Sequence, residues 1–535
     1  MFKKLLGHFA LALIFLVLTL GQQTLFYLLK DLPIISPSLG KYLGVFAFLF
    51  AATFIRPVAV RYFFLGLVFL LNFFQMAHLS YFGTQILPNS IWLLITQFDE
   101  IKGTILVEYQ HILVPFIFTL VPALFGLIAI KKIKNLFETK VMAILFGLYF
   151  IYNPIRTSVT GNTWGRQPST RELSGMNVYL AFSYFMGKIL PHKMLQGSNK
   201  EIKNASSDLS MTPTLTQWDN IVIVLGESLS PHHMSLFGYE KPTTPFLLSK
   251  INDPNFFHTV ALSGGVSTDI TVAFFLNMGF GEAGSVKAAK GSQCVFKLAK
   301  KNKFTTHFLS AQSAEQLRYI APFLCASSLD DYKSLEDISP ETVDHQAAED
   351  KILLPYLEKI VNFDAKQFVI IHQRGSHGPW ELRSNPKNRV FSHDNKVAHY
   401  DNSVVEFDLF MKNLFKMLES SKKKTLLIYL SDHGEALGQD GRWGHGQLIR
   451  PAFEIPLLIH AFNHDLPPKT RVIPKYVPHY NISLYLAEAI GFIPNQDFSV
   501  PVKDYVIFGN DIDGFAGKAD ISFNPDGTYD FKVSN

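Results

Sequence analysis

Long apolar runs fill the first part of the chain, and short apolar runs separated by helical stretches fill the remainder. The long runs are residues 5–29, 39–55, 62–81, 112–130 and 141–152. They predict five membrane-spanning helices, because about 20 apolar residues cross a hydrocarbon layer of roughly 30 Å. The second is short and carries Lys41, and the fifth needs extension beyond Tyr152. A cleavable signal peptide would have a shorter core and a small-residue cleavage site, so the first run is expected to remain as a span.

Basic residues set the direction of these spans. Lys3, Lys4, Arg56, Arg61, Lys131, Lys132, Lys134 and Lys140 fall on one side, and Asp99, Glu100 and Glu108 on the other. The asymmetry predicts a cytoplasmic amino terminus, with everything after Asn153 outside. Residues 91–95 read as a helix in the outer interface with Trp92 at headgroup depth. Residues 178–190 are an apolar interlude in a polar stretch, expected to form an amphipathic helix resting on the membrane. Residues 206–216 are a Ser/Thr/Pro linker. The expected division is a membrane domain over 1–153, a bridging helix and linker over 154–217, and a further domain over 218–535.

In that last part, residues 221–225, 368–371, 426–430 and 455–459 are apolar runs of buried-strand type. Between them lie helical stretches such as 401–420, where Val404, Phe407, Met411, Leu414 and Leu418 make one apolar face. The pattern predicts an α/β domain with a mostly parallel sheet covered by helices. Residues 521–529 predict a hairpin turning at Pro525-Asp526-Gly527.

Composition sharpens this picture at a few points. The chain is 48% hydrophobic and 17% charged, with the apolar residues concentrated before residue 153. A net charge of +5, much of it flanking apolar runs, gives no reason to expect a nucleic-acid partner. Two cysteines, Cys294 and Cys325, exclude a disulfide scaffold and a cysteine-rich metal site. In a domain outside the cytoplasm they are expected to pair, with a buried thiol as the alternative.

The chemistry gathers at strand ends. The 426–430 run stops at Ser431-Asp432-His433-Gly434, at the carboxyl edge where open α/β sheets bind ligands. Asp432 and His433 offer an oxygen and a nitrogen ligand, and His445 follows on the Gly-rich loop 441–446. Taken singly, these read as a helix cap and surface histidines. The first strand, however, ends in Gly226-Glu227-Ser228, and the second runs into His372-Gln373-Arg374-Gly375-Ser376-His377. Separate strand ends thus deliver Glu227, His377, Asp432 and His433, an oxygen and nitrogen set without sulfur that suits zinc and admits manganese. Residues 263–271 place Ser263, Ser267, Thr268 and Thr271 in a glycine-containing loop before the apolar run 272–276. A hydroxyl there faces open backbone N–H groups and, beside a metal, becomes a nucleophile. Ordinary helix capping by Ser267 or Thr268 fits the spacing equally well.

These blocks resemble the bacterial membrane phosphoethanolamine transferases of the alkaline phosphatase and sulfatase superfamily. The resemblance rests on Gly226-Glu227-Ser228, Gly238-Tyr239-Glu240-Lys241-Pro242-Thr243-Thr244-Pro245, Ser376-His377-Gly378-Pro379, Tyr400-Asp401-Asn402, and Ser431-Asp432-His433-Gly434-Glu435 with His445-Gly446. It implies that Glu227, Thr268, Asp432 and His433 hold a catalytic zinc. Thr268 would be the nucleophile, because Thr271-Val272 follows it as Ser-Val does in the family. His377 and His445 would bind a second zinc or the headgroup and act as acid or base, while Glu435 and Gln312 would contact substrate. Thr96 and Glu100 match a Thr-x-x-x-Glu pair associated with the lipid donor, although Trp92 stands where the family has asparagine. The cysteines that bracket the nucleophile helix in lipid A-modifying members are absent. Residues 308–313 also lack the Asn/Lys pair of those members and look more like the members that modify core sugars.

The resemblance therefore implies transfer of phosphoethanolamine from phosphatidylethanolamine to a lipopolysaccharide sugar, lipid A or core, through a phosphothreonine intermediate. The enzyme would be a monomer, multi-pass in the inner membrane, with its catalytic domain in the periplasm. A phosphoglycerol transferase using phosphatidylglycerol is the alternative, and a non-catalytic membrane scaffold a second. A hydrolytic sulfatase is excluded, since Cys294 is followed by Val295-Phe296-Lys297 and not by Cys-x-Pro-x-Arg.

Overall fold

The computed structural model describes residues 2–30, 38–96, 98, 102, 105, 109–133, 138–160, 173–195, 209–281, 284–342, 349–392, 395–511 and 515–534. It divides into two compact units, residues 1–200 with 440–443, and residues 201–439 with 444–535.

The first unit is helical: α1 (Phe2–Leu29), α2 (Leu39–Ala52), α3 (Val58–Phe82), α4 (Pro88–Thr96), α5 (Gln110–Lys132), α6 (Lys140–Thr160) and α7 (Ser174–Tyr184). Among the described residues, three of these helices, α1, α3 and α5, are long and apolar enough to cross a membrane. Five were expected. The shortfall has a physical reason in each case: α2 is apolar but has only 14 residues, and α6 turns polar at Asn153, Pro154 and Arg156. Helix α4 contains the stretch expected at the outer interface. Helix α7, which begins the stretch expected to form a bridge resting on the membrane, packs against α3 and α6. It turns Asn177, Val178, Ala181 and Tyr184 inward, and Asn177 Nδ2 donates to Gln85 Oε1 at 2.6 Å. Amides also tie the longer helices, with Gln22 Nε2 donating to Thr119 Oγ1 at 2.8 Å and Asn72 Nδ2 to Gln22 Oε1 at 3.4 Å. In an apolar surrounding such bonds replace the hydrophobic effect as the glue between helices.

The second unit is built on an eight-stranded sheet. Its strands in chain order are β1 (Asn220–Gly226), β2 (Phe256–Leu262), β3 (Thr305–Ser310), β4 (Asp331–Lys333), β5 (Gln367–His372), β6 (Thr425–Ser431), β7 (Glu454–Phe462) and β8 (Val477–Pro478). Across the sheet they run β8-β2-β7-β6-β1-β5-β3-β4. Every residue of β1, β5 and β6 is buried, which explains their unbroken apolar runs. β1 lies in parallel between β5 and β6, with Leu225 level with both His372 and Leu430. Gly226 is level with Ser431, so Glu227 and Asp432 emerge side by side.

The sheet is mixed: β7 is antiparallel to both β2 and β6, while the other five pairings of neighbouring strands are parallel. The run 455–459 reads alike in either direction, and the connection from β6 decides. Residues 432–453 bring the chain back to the edge at which β6 ends, so β7 starts there and runs the opposite way. The helices that matter for the site are α8 (Thr268–Leu276) and α9 (Lys396–Ser420). The predicted tail hairpin forms as β9 (Lys518–Phe523) and β10 (Tyr529–Ser534), with Phe523 opposite Tyr529. Cys294 and Cys325 are joined as a disulfide.

Candidate metal centre and active site

The level ends of β1 and β6 bring two carboxylates and an imidazole together. His433 Nε2 lies 3.4 Å from Glu227 Oε1 and 3.4 Å from Asp432 Oδ2. All three residues are essentially without solvent exposure. Short loop bonds hold them. Ser228 N donates to Asp432 Oδ1 at 3.1 Å, Asp432 N to Gly226 O at 3.0 Å, and Ser228 Oγ to Glu227 Oε1 at 2.8 Å. His433 Nδ1 donates to Gly434 O at 2.9 Å, which leaves the Nε2 lone pair facing the carboxylates.

The three hydroxyls near the start of α8 are distinguished by their partners. Thr268 Oγ1 donates to Glu227 Oε2 at 3.0 Å. Ser267 occupies the N-cap position but makes no side-chain cap bond, and its Oγ donates to Asp269 Oδ1 at 2.6 Å. Thr271 is fully buried and donates back to Ser267 O at 2.9 Å.

A second cluster borders the first. The His445 ring lies 4.7 Å from the His433 ring and 5.2 Å from the His377 ring, centroid to centroid. His445 Nδ1 is 3.7 Å from Glu435 Oε2, and His377 Nδ1 donates to Gly378 O at 2.6 Å. Gln312, expected to touch substrate, uses its Nε2 to hold Glu227 Oε2 at 3.3 Å and Gln373 O at 3.2 Å. Thr96 Oγ1 donates to Trp92 O within its own helix at 3.0 Å. Glu100 lies outside the described residues.

Asp432 Oδ2 and His433 Nε2 are buried without a hydrogen-bond partner among the described residues. With Glu227 they form a group whose ligand atoms lie within 4.8 Å of one another, and His433, Glu435 and His445 form another. Orphaned oxygen and nitrogen donors of this kind fit a divalent cation of the zinc type. The electrostatics agree. Burial, then the charge of Glu227, pushes Asp432 well above the usual carboxylate range. Burial and then His445 lower His433 to about 3, so its ring is neutral. Burial opposes the charge on Glu227, but the imidazoles of His433, His377, His372 and His445 outweigh it and keep that carboxyl low. Two adjoining buried carboxylates cannot both ionise unless a cation lies between them.

The sequence did not single out His372, although it is the last residue of β5. It is fully buried, with Nδ1 3.0 Å from Ser310 Oγ, and burial brings it down to about 4 against the pull of Glu227. Its only sequence signal was a histidine closing an apolar run. Gly375 is a second such residue. Its φ is +56°, and an added Cβ would stand 2.5 Å from Glu227 O and 2.9 Å from Glu227 N. Gly375→Ala is therefore expected to cost more than the roughly 1–2 kcal/mol of a left-handed alanine alone, and to weaken metal binding by displacing Glu227. Thermal unfolding and zinc titration of the variant check this, and unchanged values in both would show that the close approach is not tight.

The sheet thus carries buried carboxylate and imidazole groups at its strand ends, beside a threonine at the start of α8. The sulfatase family profile matches residues 219–491, about half of the 535-residue chain, and the chain belongs to that family. Its curated relatives include phosphoethanolamine transferase EptA of Helicobacter pylori, 28% identical over 278 residues, which cover 48% of this chain and 50% of that protein. Phosphatidylethanolamine transferase Mcr-1 of Escherichia coli is 26% identical over 284 residues, covering 49% of this chain and 52% of that protein. The chain spans about half the length of the curated relatives it matches. The integral membrane phosphoethanolamine transferase EptA of Neisseria meningitidis shares the fold, with a TM-score of 0.55 at 17% identity over 90% of this chain and 95% of that one.

Proposed function

We propose that the chain is a zinc-dependent transferase that moves phosphoethanolamine from phosphatidylethanolamine to a lipopolysaccharide sugar, in lipid A or the core, through a phosphothreonine. The observation that carries this reading is the Thr268 hydroxyl bonded to Glu227 Oε2, beside the unpartnered Asp432 Oδ2 and His433 Nε2. The names of the relatives supply the headgroup. Glu227, Asp432 and His433 would hold the ion with Thr268, and His445 with Glu435 would take a second ion or the headgroup. When bound, zinc lowers the pKa of a hydroxyl beside it and offsets charge on the transferred phosphoryl group.

The side chains account for the remaining steps. Thr268 Oγ1 passes its proton to Glu227 Oε2, which returns it when Thr268 leaves in the second half-reaction. Thr268 Oγ1 forms a bond to the phosphorus of the donor while the bond to the diacylglycerol oxygen breaks. His377 or His445 gives that leaving oxygen its proton, and takes one from the acceptor hydroxyl in the second half-reaction. The acceptor oxygen then displaces Thr268, which restores the enzyme. Thr96 and Glu100 would belong to the lipid-donor side. Five spans, with α2 and α6 as the short ones, would place the protein in the inner membrane as a monomer, with residues after 153 in the periplasm.

Fluorescent phosphatidylethanolamine and phosphatidylglycerol, offered separately to the purified protein, test the reading. Diacylglycerol is expected from phosphatidylethanolamine. Release from phosphatidylglycerol alone would make the protein a phosphoglycerol transferase, and release from neither would favour a scaffold.

A further inference from the structure

Glu227 is followed by an unusual backbone. Ser228 has φ 57°, in the left-handed region that a residue with a Cβ enters at a cost. That conformation lets Ser228 do two things at once. Its N–H reaches Asp432 Oδ1 at 3.1 Å, and its hydroxyl reaches Glu227 Oε1 at 2.8 Å. The strained residue therefore touches both carboxylates of the metal group.

Something must hold it there, and the tyrosine of the Tyr400-Asp401-Asn402 block is in position. Tyr400 is fully buried. Its hydroxyl donates to Ser228 O at 2.7 Å and accepts from Ser230 N at 2.8 Å, so it brackets the strained turn. The residues beside it anchor the start of α9 on other loops. Asp401 accepts from Lys241 Nζ at 2.7 Å, Tyr239 OH at 3.1 Å and the His233 ring at 2.8 Å. Asn402 Oδ1 accepts from Val390 N at 2.8 Å and Phe391 N at 3.0 Å, and Ser403 Oγ bonds Ser376 Oγ at 2.9 Å. The turn after Glu227 is thus pinned by a hydroxyl that is itself immobile.

We infer that Tyr400 is a positioning residue of the metal centre: its hydroxyl holds Ser228 in the left-handed conformation that aims Glu227 and Asp432 at a shared cation. This rests on the metal-site reading of Glu227, Asp432 and His433, and is independent of the headgroup. Tyr400 touches neither substrate nor ion, so its effect is on affinity for the metal.

A double-mutant cycle in the full-length, detergent-solubilised protein tests it, with zinc affinity read by competition against a chromophoric chelator and thermal unfolding of the metal-free form read in parallel. Tyr400→Phe is expected to weaken zinc binding by about 10-fold or more, the range of lost outer-shell partners. In Ser228→Gly the backbone adopts positive φ without strain, so adding Tyr400→Phe to it should weaken zinc by less than about threefold relative to that single variant. The double variant reports even if Tyr400→Phe alone fails to fold. Equal losses in both backgrounds, or a fall in unfolding temperature with zinc affinity unchanged, would overturn the inference. A wild-type protein that binds no zinc would instead overturn the site reading on which it stands.

Discussion

Thr268→Ala is expected to reduce diacylglycerol release from phosphatidylethanolamine by roughly 10³–10⁶-fold, the scale on which nucleophile deletions act. Ser267→Ala and Thr271→Ala should retain turnover within about tenfold, because neither hydroxyl is placed to enter the in-line attack. The contrast follows from hydrogen-bond direction. Thr268 Oγ1 points at Glu227, whereas Ser267 is engaged with Asp269 and Thr271 with its own helix. Thr271→Ala should show its loss in stability, of about 0.5–1.5 kcal/mol for one buried hydrogen bond. Full activity in Thr268→Ala, with loss in either neighbour, would move the nucleophile.

Removal of the metal is the second large effect expected. A strong chelator should abolish turnover and lower the unfolding temperature, and zinc should restore both. The sign of the accompanying pH effect follows from Asp432. Its carboxyl is pushed up in the folded state by burial and by Glu227, so the metal-free folded protein binds a proton that the unfolded chain, near its ordinary value of about 3.9, has already released. That contribution to stability is present at low pH and is lost as pH rises through the folded pKa. Asp432→Asn removes the titrating group, so the stability of the metal-free variant relative to wild type should increase with pH while activity is lost. A relative stability of the variant that stays flat or falls with pH would show that Asp432 is already ionised beside Glu227 without a cation.

The candidate metal-binding cluster was legible because buried strands leave a plain trace. Residues 221–225, 368–371 and 426–430 are apolar throughout, and the polar residues that follow mark the sheet edge. Their level register puts Glu227 beside Asp432. Strands β2 and β3 were not legible, since Phe256–Leu262 and Thr305–Ser310 mix polar and apolar residues and β2 is only partly buried. The direction of β7 was hidden because an apolar run has no polarity of its own. The position of Gln312 was read, but its bond to Glu227 depends on chain folding between residues far apart in sequence. The same holds for Tyr400, whose motif was visible and whose hydroxyl contacts were not. In the helical unit, hydropathy located all the helices expected as spans but did not settle which are long enough to cross.

The reversed strand also bears on how such a protein can diversify. Because β7 runs antiparallel to β6, the chain leaves the sheet at Asp432 and re-enters it at Glu454 on the same edge, with no crossover to complete. The length of that excursion is not set by the sheet. Asp432 and His433 follow directly on β6 and so keep their register with β1, whereas β5, which leads to His377, is reached from β4 by a parallel return. The 432–454 excursion is therefore the part of this edge whose length can change without disturbing the pairing of β6 with β1.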